Sequence, residues 1–196
     1  MTGARRFSQA IAEGDGISIV VHVDDPAAAR AAQEQGAEAV ALQRPLDGLS
    51  DATSLPLLWR PHGSPEQARA AGADACVLAL AGLDDDDGEL ERSYRAALEL
   101  GLDCVVEVRN DEELQLALER IDPEIFLLAG IGEQDAGPLE HALELLQDVP
   151  AGKLALAEVE TSGPDDVAEL ERAGVDGVIV PAGNVAELAG GAQPQV

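Results

Sequence analysis

The chain has almost no aromatic residues and few positive charges. Of its 196 residues 2% are aromatic, with one Trp, one Tyr and two Phe, so a core of the size that a 46% hydrophobic composition allows must be built from Ala, Val, Leu and Ile. Lys and Arg number 12 against 38 Asp and Glu, giving a net charge of −26, and Lys153 is the one lysine. A surface so negative repels phosphate backbones and anionic lipid, which argues against nucleic-acid and membrane partners. No apolar run reaches the roughly 20 residues that a spanning helix needs, and Met1–Gly14 lacks a signal-peptide core, so a cytoplasmic protein is expected. Two cysteines, Cys76 and Cys104, sit in apolar strand-like runs without Cys-x-x-Cys spacing or a neighbouring His. They read as buried thiols; neither a metal nor a cofactor is expected. The acidic excess fits a halophile's cytoplasm and equally an ordinary acidic protein from a GC-rich genome.

A repeat is present. Gln35-Gly-Ala-Glu-Ala-Val-Ala-Leu42, Ala71-Gly-Ala-Asp-Ala-Cys-Val-Leu78, Leu100-Gly-Leu-Asp-Cys-Val-Val-Glu107 and Ala173-Gly-Val-Asp-Gly-Val-Ile-Val180 share one grammar of helix end, glycine, acidic turn and buried strand. Their glycines fall at 36, 72, 101 and 174, the last gap spanning about two units. Strands are predicted at Ile17–Val23, Ala39–Gln43, Leu55–Arg60, Ala75–Leu80, Cys104–Arg109, Ile125–Ala129, Leu154–Val159 and Gly177–Val180. Helices are predicted from about Pro26, at Ser64-Pro65-Glu66 with Ser64 as cap, near Gly88–Leu100, at Asp111–Arg120 capped by Asn110, near Pro138–Gln147, through Ser162-Gly-Pro-Asp-Asp and near Asn184–Leu188.

Eight apolar strands alternating with helices call for a parallel sheet covered on its faces. Eight such units close a compact (β/α)₈ TIM barrel, expected as one domain over residues 1–196. An open doubly wound sheet is the alternative, and the even repeat speaks against it. An extra N-terminal helix within residues 1–14, at Arg5–Glu13, would cap the barrel floor, residues 189–196 form a short polar tail, and the helix after strand two, around Asp47–Ala52, must be vestigial. If that gap bares the wall, an apolar patch there would favour a dimer; the oligomeric state is otherwise open.

Active sites of such barrels lie at the C-terminal strand ends. Those ends carry His22 and Asp24, Gln43 and Arg44, Trp59 and Arg60, Glu107 and Arg109, Glu158 and Glu160, and Pro181. Phe7-x-x-Ala-Ile-x-x-Gly, Ile17-Ser-Ile-Val, Leu55-Pro-Leu-Leu, Gln67-Ala-Arg-Ala-Ala-Gly-Ala-Asp-Ala, Leu83-Asp-Asp, Leu100-Gly-Leu-Asp-x-Val-Val-Glu-Val and Gly163-Pro-Asp-Asp-Val resemble indole-3-glycerol phosphate synthase, the lyase of tryptophan biosynthesis, from residue 7 to about 188. The resemblance implies the barrel, and a site with two lysines, several glutamates, an Asn/Arg pair and a phosphate cradle. Carried over, the strand-one Glu and Lys fall on His22 and Asp24, and the general-acid lysine ending strand three falls on Arg60. Glu107 and Glu158 keep the glutamates of strands five and seven. Ala129 and Ile131 stand at the Asn and Arg positions, Val159 and Glu160 follow Glu158, and Pro181-Ala182-Gly183 replaces the Gly-led phosphate turn. Arginine stays protonated at physiological pH and cannot deliver and recover a proton as a tuned lysine does. Pro181 removes an N–H, and Glu160 adds negative charge beside the phosphate position. The expectation is a synthase-like barrel without synthase turnover.

Three readings of the strand ends stay open. Glu107, Glu158 and His22 are candidate acid/base residues, and Arg60, Arg109 and Arg44 a candidate clamp for a small anionic ligand, as an altered lyase or isomerase acting on a phosphorylated or carboxylated substrate would use. Alternatively, Glu107 and Glu158 pair with arginine in a polar layer that closes the barrel top, in a binding protein or a ligand-free scaffold. Convergence of the three guanidinium groups separates these readings. His62 is a mouth-loop or plain turn residue, His141 is expected at the surface, and Asp84–Asp87 reads as a solvated helix start because it lacks the spacing of a calcium loop. The net charge of −26 also carries a prediction. The thermal midpoint should rise from low to molar salt as self-repulsion is screened, and a midpoint flat over that range counts against it.

Overall fold

A computed structural model of the chain describes residues 6–14, 16–61, 63–80, 88–129, 137–158, 163–183 and 185–188. Eight parallel strands close into a barrel in chain order. They are β1 (Ser18–Val23), β2 (Ala39–Leu42), β3 (Leu57–Trp59), β4 (Ala75–Ala79), β5 (Asp103–Val108), β6 (Ile125–Ala129), β7 (Leu154–Glu158) and β8 (Gly177–Val180). The helices are α1 (Arg6–Ala12), α2 (Pro26–Glu34), α3 (Leu49–Ala52), α4 (Pro65–Ala70), α5 (Glu89–Glu99), α6 (Asp111–Arg120), α7 (Pro138–Leu146), α8 (Pro164–Ala173) and α9 (Val185–Leu188).

The expected (β/α)₈ architecture is observed, including the extra helix α1 and the four-residue α3. Strand three is shorter than its apolar run because Pro56 has no N–H for the ladder, although the Arg60 N–H still donates to the Leu42 carbonyl at 2.9 Å. Asn110 caps α6 as expected, accepting from the Glu113 N–H at 2.9 Å. Ser64 stands at the N-cap of α4 without a side-chain cap bond; its hydroxyl is engaged by Glu66 instead. The wall beside α3 is not bare. Val40 and Leu42 are fully buried, Trp59 and Leu49 pack in the same shell, and among the described residues the exposed large hydrophobic is Leu98. Ser162, Asn184, Asp84–Asp87 and the tail 189–196 lie outside the described residues.

Alternation along each strand divides the core into two shells. Outward residues such as Val21, Val40, Cys76, Val106, Phe126 and Val178 pack under the helices. Inward residues fill the barrel in layers drawn from alternate strands, Val20, Leu58, Val105 and Leu156 from the odd strands and Ala41, Val77, Leu127 and Ile179 from the even ones. Small residues are needed where large ones crowd the taper. A Cβ on Gly177 would lie 2.6 Å from Leu156 Cδ2 and 3.2 Å from the Ser18 carbonyl oxygen.

The acidic position of the sequence repeat has a structural role at the barrel floor. Each repeat glycine takes a positive φ, for example +98° at Gly174, and turns the chain into a carboxylate that precedes or opens the next strand. Glu38 accepts from the Ile19 N–H at 2.8 Å, Asp74 from the Leu57 N–H at 3.0 Å, and Asp176 from the Ala155 N–H at 2.7 Å. In each pair the acid stands just before an even strand and holds the start of an odd one. Asp103 accepts instead from the Ser8 N–H at 2.8 Å, fixing α1 beneath the barrel, where Phe7 and Ile11 close the inner core. Losing an acceptor strands a strand-end N–H, so Asp176→Ala should lower the unfolding free energy by about 1–3 kcal/mol. Asp176→Asn, which keeps an acceptor oxygen, should lose clearly less; equal losses in urea denaturation would exclude the carboxylate's role.

Candidate functional site

The strand register decides which polar side chains meet at the mouth, the C-terminal end of the barrel. His22 pairs with Ala41 and Ala41 with Leu58, so the residue level with His22 on strand three is two further on, at Arg60. The same step holds from β5, where Glu107 pairs with Leu127 and Leu127 with Leu156, placing Glu158 level with Glu107. From β7 the step closes the circle, since Glu158 pairs with Ile179, Ile179 with Val20, and two residues on is His22. Each of the four therefore stands one inward position above Val20, Leu58, Val105 or Leu156. They form the top layer of the odd strands.

Within that layer the four groups make one chain of hydrogen bonds. The Arg60 guanidinium donates from Nη1 to Glu107 Oε2 at 3.1 Å and from Nη2 to Glu158 Oε2. His22 Nε2 bonds Glu158 Oε1 at 3.1 Å. Side-chain exposure is 10% at Arg60 and 11% at Glu107, but 27% at Glu158 and 25% at His22. Arg60 is thus a buried bridge, and the His22–Glu158 side of the layer faces solvent. Burial opposes ionisation of Glu158; the hydrogen bond from His22 and the charges of Arg60 and His22 override it and hold the carboxyl below its ordinary range.

The other two arginines do not join this layer. Arg109 is clasped by Glu113, the i+4 residue at the start of α6, through Nη2 to Oε1 at 2.5 Å and its own N–H to Oε2 at 2.8 Å. That clasp holds its guanidinium even more firmly protonated. Arg44 is exposed and donates to the Asp24 carbonyl at 2.9 Å. Trp59 points the opposite way, into the shell under the helices. Asp24, Gln43 and Pro181 are exposed at the rim. His141 is half-buried, not at the surface, because Nε2 donates to the Arg109 carbonyl at 2.7 Å and ties α7 to the loop after β5. His62, Ile131, Val159 and Glu160 lie outside the described residues. Among the described residues no group of three or more His, Cys, Asp or Glu could hold a metal ion.

A polar layer of Glu107 and Glu158 paired with arginine was one of the readings of the sequence; that Arg60 alone bridges both, and that His22 is attached to Glu158, was not read from it. The signal was present: His22, Arg60, Glu107 and Glu158 each lie two residues beyond an apolar inward residue of an odd strand. The capture of Arg109 was also legible in Asn110-x-x-Glu113, a cap with its acid three residues on, preceded by the arginine. A 520 Å³ cavity lies between the start of α4 and α5, beside Ser64, Glu66, Arg92 and Ser93, and none of the four groups lines it.

A closed eight-stranded parallel barrel defines the chain as a (β/α)₈ barrel, with a polar layer of odd-strand residues at its C-terminal end. The family model "Indole-3-glycerol phosphate synthase" matches residues 65–184, and the chain belongs to that family. Indole-3-glycerol phosphate synthases from Salinibacter ruber and from a Nocardioides strain are 36% and 38% identical to it over 118 residues, which is 58% of this chain and 42% and 43% of theirs. The chain matches under half the length of these curated relatives. A solved thiamine phosphate pyrophosphorylase from Pyrococcus furiosus shares the fold, with a TM-score of 0.64 over 88% of this chain and 90% of that one at 18% identity. The family match is narrower than the stretch from 7 to 188 read from the sequence. It takes in Glu107 and Glu158, while His22 and Arg60 precede it and owe their place at the mouth to the barrel register.

A carboxyl held low in the folded state stabilises the fold above its unfolded value and loses that contribution as pH falls through the folded one. Glu158 should therefore give the protein an acid-sensitive component below pH 4.5. Glu158→Gln should flatten the fall of stability with pH in that range, as followed by denaturant titrations. An unchanged slope would show that the carboxylate contributes nothing to it.

Proposed function

We propose that this chain is a cytoplasmic family member that does not catalyse indole ring closure, and that its mouth is closed by a resident ion network where an open anion site would otherwise stand. One observation carries the reading: Arg60, at the strand-three end to which the resemblance assigns the general-acid lysine, has both Nη atoms committed to Glu107 and Glu158. A guanidinium so held is permanently charged and has no proton to exchange at neutral pH. The same clasp occupies the two glutamates the chain keeps at synthase positions. Arg44 and Arg109, the other members of the expected anion clamp, are bound elsewhere at the rim. The three guanidinium groups therefore do not converge on one pocket: Arg60 is held in the layer, Arg109 is paired with Glu113, and Arg44 stands at the exposed rim on a neutral carbonyl, which favours the closed-layer reading over the clamp.

The test is turnover and binding. Incubated with carboxyanilino-deoxyribulose phosphate, the protein should form no indole-3-glycerol phosphate, and neither compound should raise the thermal midpoint saturably. Arg60→Lys alone should also stay inactive, because the strand-one lysine position is Asp24 and the phosphate turn is Pro181-Ala182-Gly183. Indole product from either protein would overturn the reading.

A further inference from the structure

The layer at the mouth leaves one of its four groups chemically available. Arg60 spends both Nη atoms on glutamates and is nine-tenths buried; Glu107 is buried and bound to Arg60. Glu158 has one oxygen on Arg60 and the other on His22. His22 is a quarter exposed; its Nε2 is engaged by Glu158, and no described residue bonds its Nδ1. A carboxylate can only accept, so Nε2 carries the proton, and in the neutral ring the lone pair lies on Nδ1. We propose that His22 is a general base at the barrel mouth, acting on a neutral substrate, with Glu158 as the residue that positions it. The inference deepens the preceding reading and rests on it in taking Arg60 as pinned between the glutamates.

The division of labour differs from three equivalent acid/base residues. Arg60 fixes Glu158, Glu158 fixes the His22 tautomer, and the proton that His22 collects at Nδ1 faces the negative charge of Glu158 across Nε2. That is a base oriented by a third group, without a Ser, Cys or Thr nucleophile in the layer. The charges around His22 also select the substrate. Arg60 offsets one of the two carboxylates and an imidazolium offsets the other, so the layer is balanced when the base is protonated. Arg44 stays at the exposed rim on the Asp24 carbonyl, and Arg109 belongs to Glu113, so neither guanidinium joins the layer beside His22 to hold an anion there. The layer of Ala41, Val77, Leu127 and Ile179 fills the space beneath. A substrate must sit on the mouth and not inside the barrel.

The neutral ester p-nitrophenyl acetate is the probe. His22 Nδ1 takes one proton from water as the water oxygen bonds to the acyl carbon; the acyl–oxygen bond breaks and p-nitrophenolate leaves, the acetic acid formed ionises to acetate, and its proton and that of the imidazolium both pass to solvent. His22→Gln should lose at least about tenfold of the protein-dependent rate, with a smaller loss in Glu158→Gln and none in His141→Gln. A solvent deuterium effect of about two or more should accompany the wild-type rate. A rate unchanged in His22→Gln overturns the proposal. Should that variant fail to fold, carbethoxylation of the wild-type protein by diethyl pyrocarbonate, followed residue by residue by mass spectrometry, takes its place. His22 should react faster than His141, and slower reaction overturns the proposal. Indole synthesis would instead sink the non-synthase reading and leave the ester result to stand by itself.

Discussion

The closure of the sheet governs everything else in this chain. A closed barrel has no edge, so each strand's height is dictated by both neighbours. The pairing steps by two residues for every second strand, which makes the inward side chains of alternate strands level with one another. The layers of the core and the chain of groups at the mouth are consequences of that single step. A slip by one residue in any odd strand would turn its polar end out of the barrel and its outward shell inward. The carboxylates of Glu38, Asp74 and Asp176 guard against such slips, since each sits before an even strand and holds the first N–H groups of an odd one.

How much of this was legible follows from which interactions are local. Periodic strands, the Gly-x-acid turns and the cap at Asn110 lie within a few residues of one another, and each appears in the structure close to where the sequence puts it. The run Leu55–Arg60 was read too long because one proline, Pro56, removes a ladder donor that hydrophobicity does not report. The mouth was less legible because its contacts join residues 47, 98 and 136 positions apart. Candidate residues could be named from strand ends, but which of them meet is set by register. Arg60 and Arg109 look alike in sequence as strand-end arginines; the first turns in to the barrel axis, while the second is captured by a local acid at i+4.

Electrostatics differ between the surface and the mouth. The chain carries −26 overall, yet the buried cluster at the mouth, an arginine and a histidine against two glutamates, is close to balanced. That contrast is physical necessity, because a surface carboxylate is paid for by water, whereas Glu107 at 11% exposure needs a partner. The network can afford few changes. Removing Arg60 would leave two carboxylates level with each other and one of them buried.

Arginine and lysine at the end of β3 make different mouths from the same barrel. A lysine ends in a compact point charge on a flexible stem and reaches one carboxylate at a time, with a proton that burial and neighbours can tune. The arginine fork spans the barrel from β3 to both β5 and β7, because its two Nη atoms diverge toward Glu107 and Glu158. Holding both acids removes them from proton transfer. It also leaves Glu158 ionised, with one oxygen free to take the Nε2 proton of a histidine from β1. The arginine that holds both glutamates is therefore also what sets the His22 tautomer, and the proton chemistry we propose for this mouth lies with β1 and not with β3, β5 or β7.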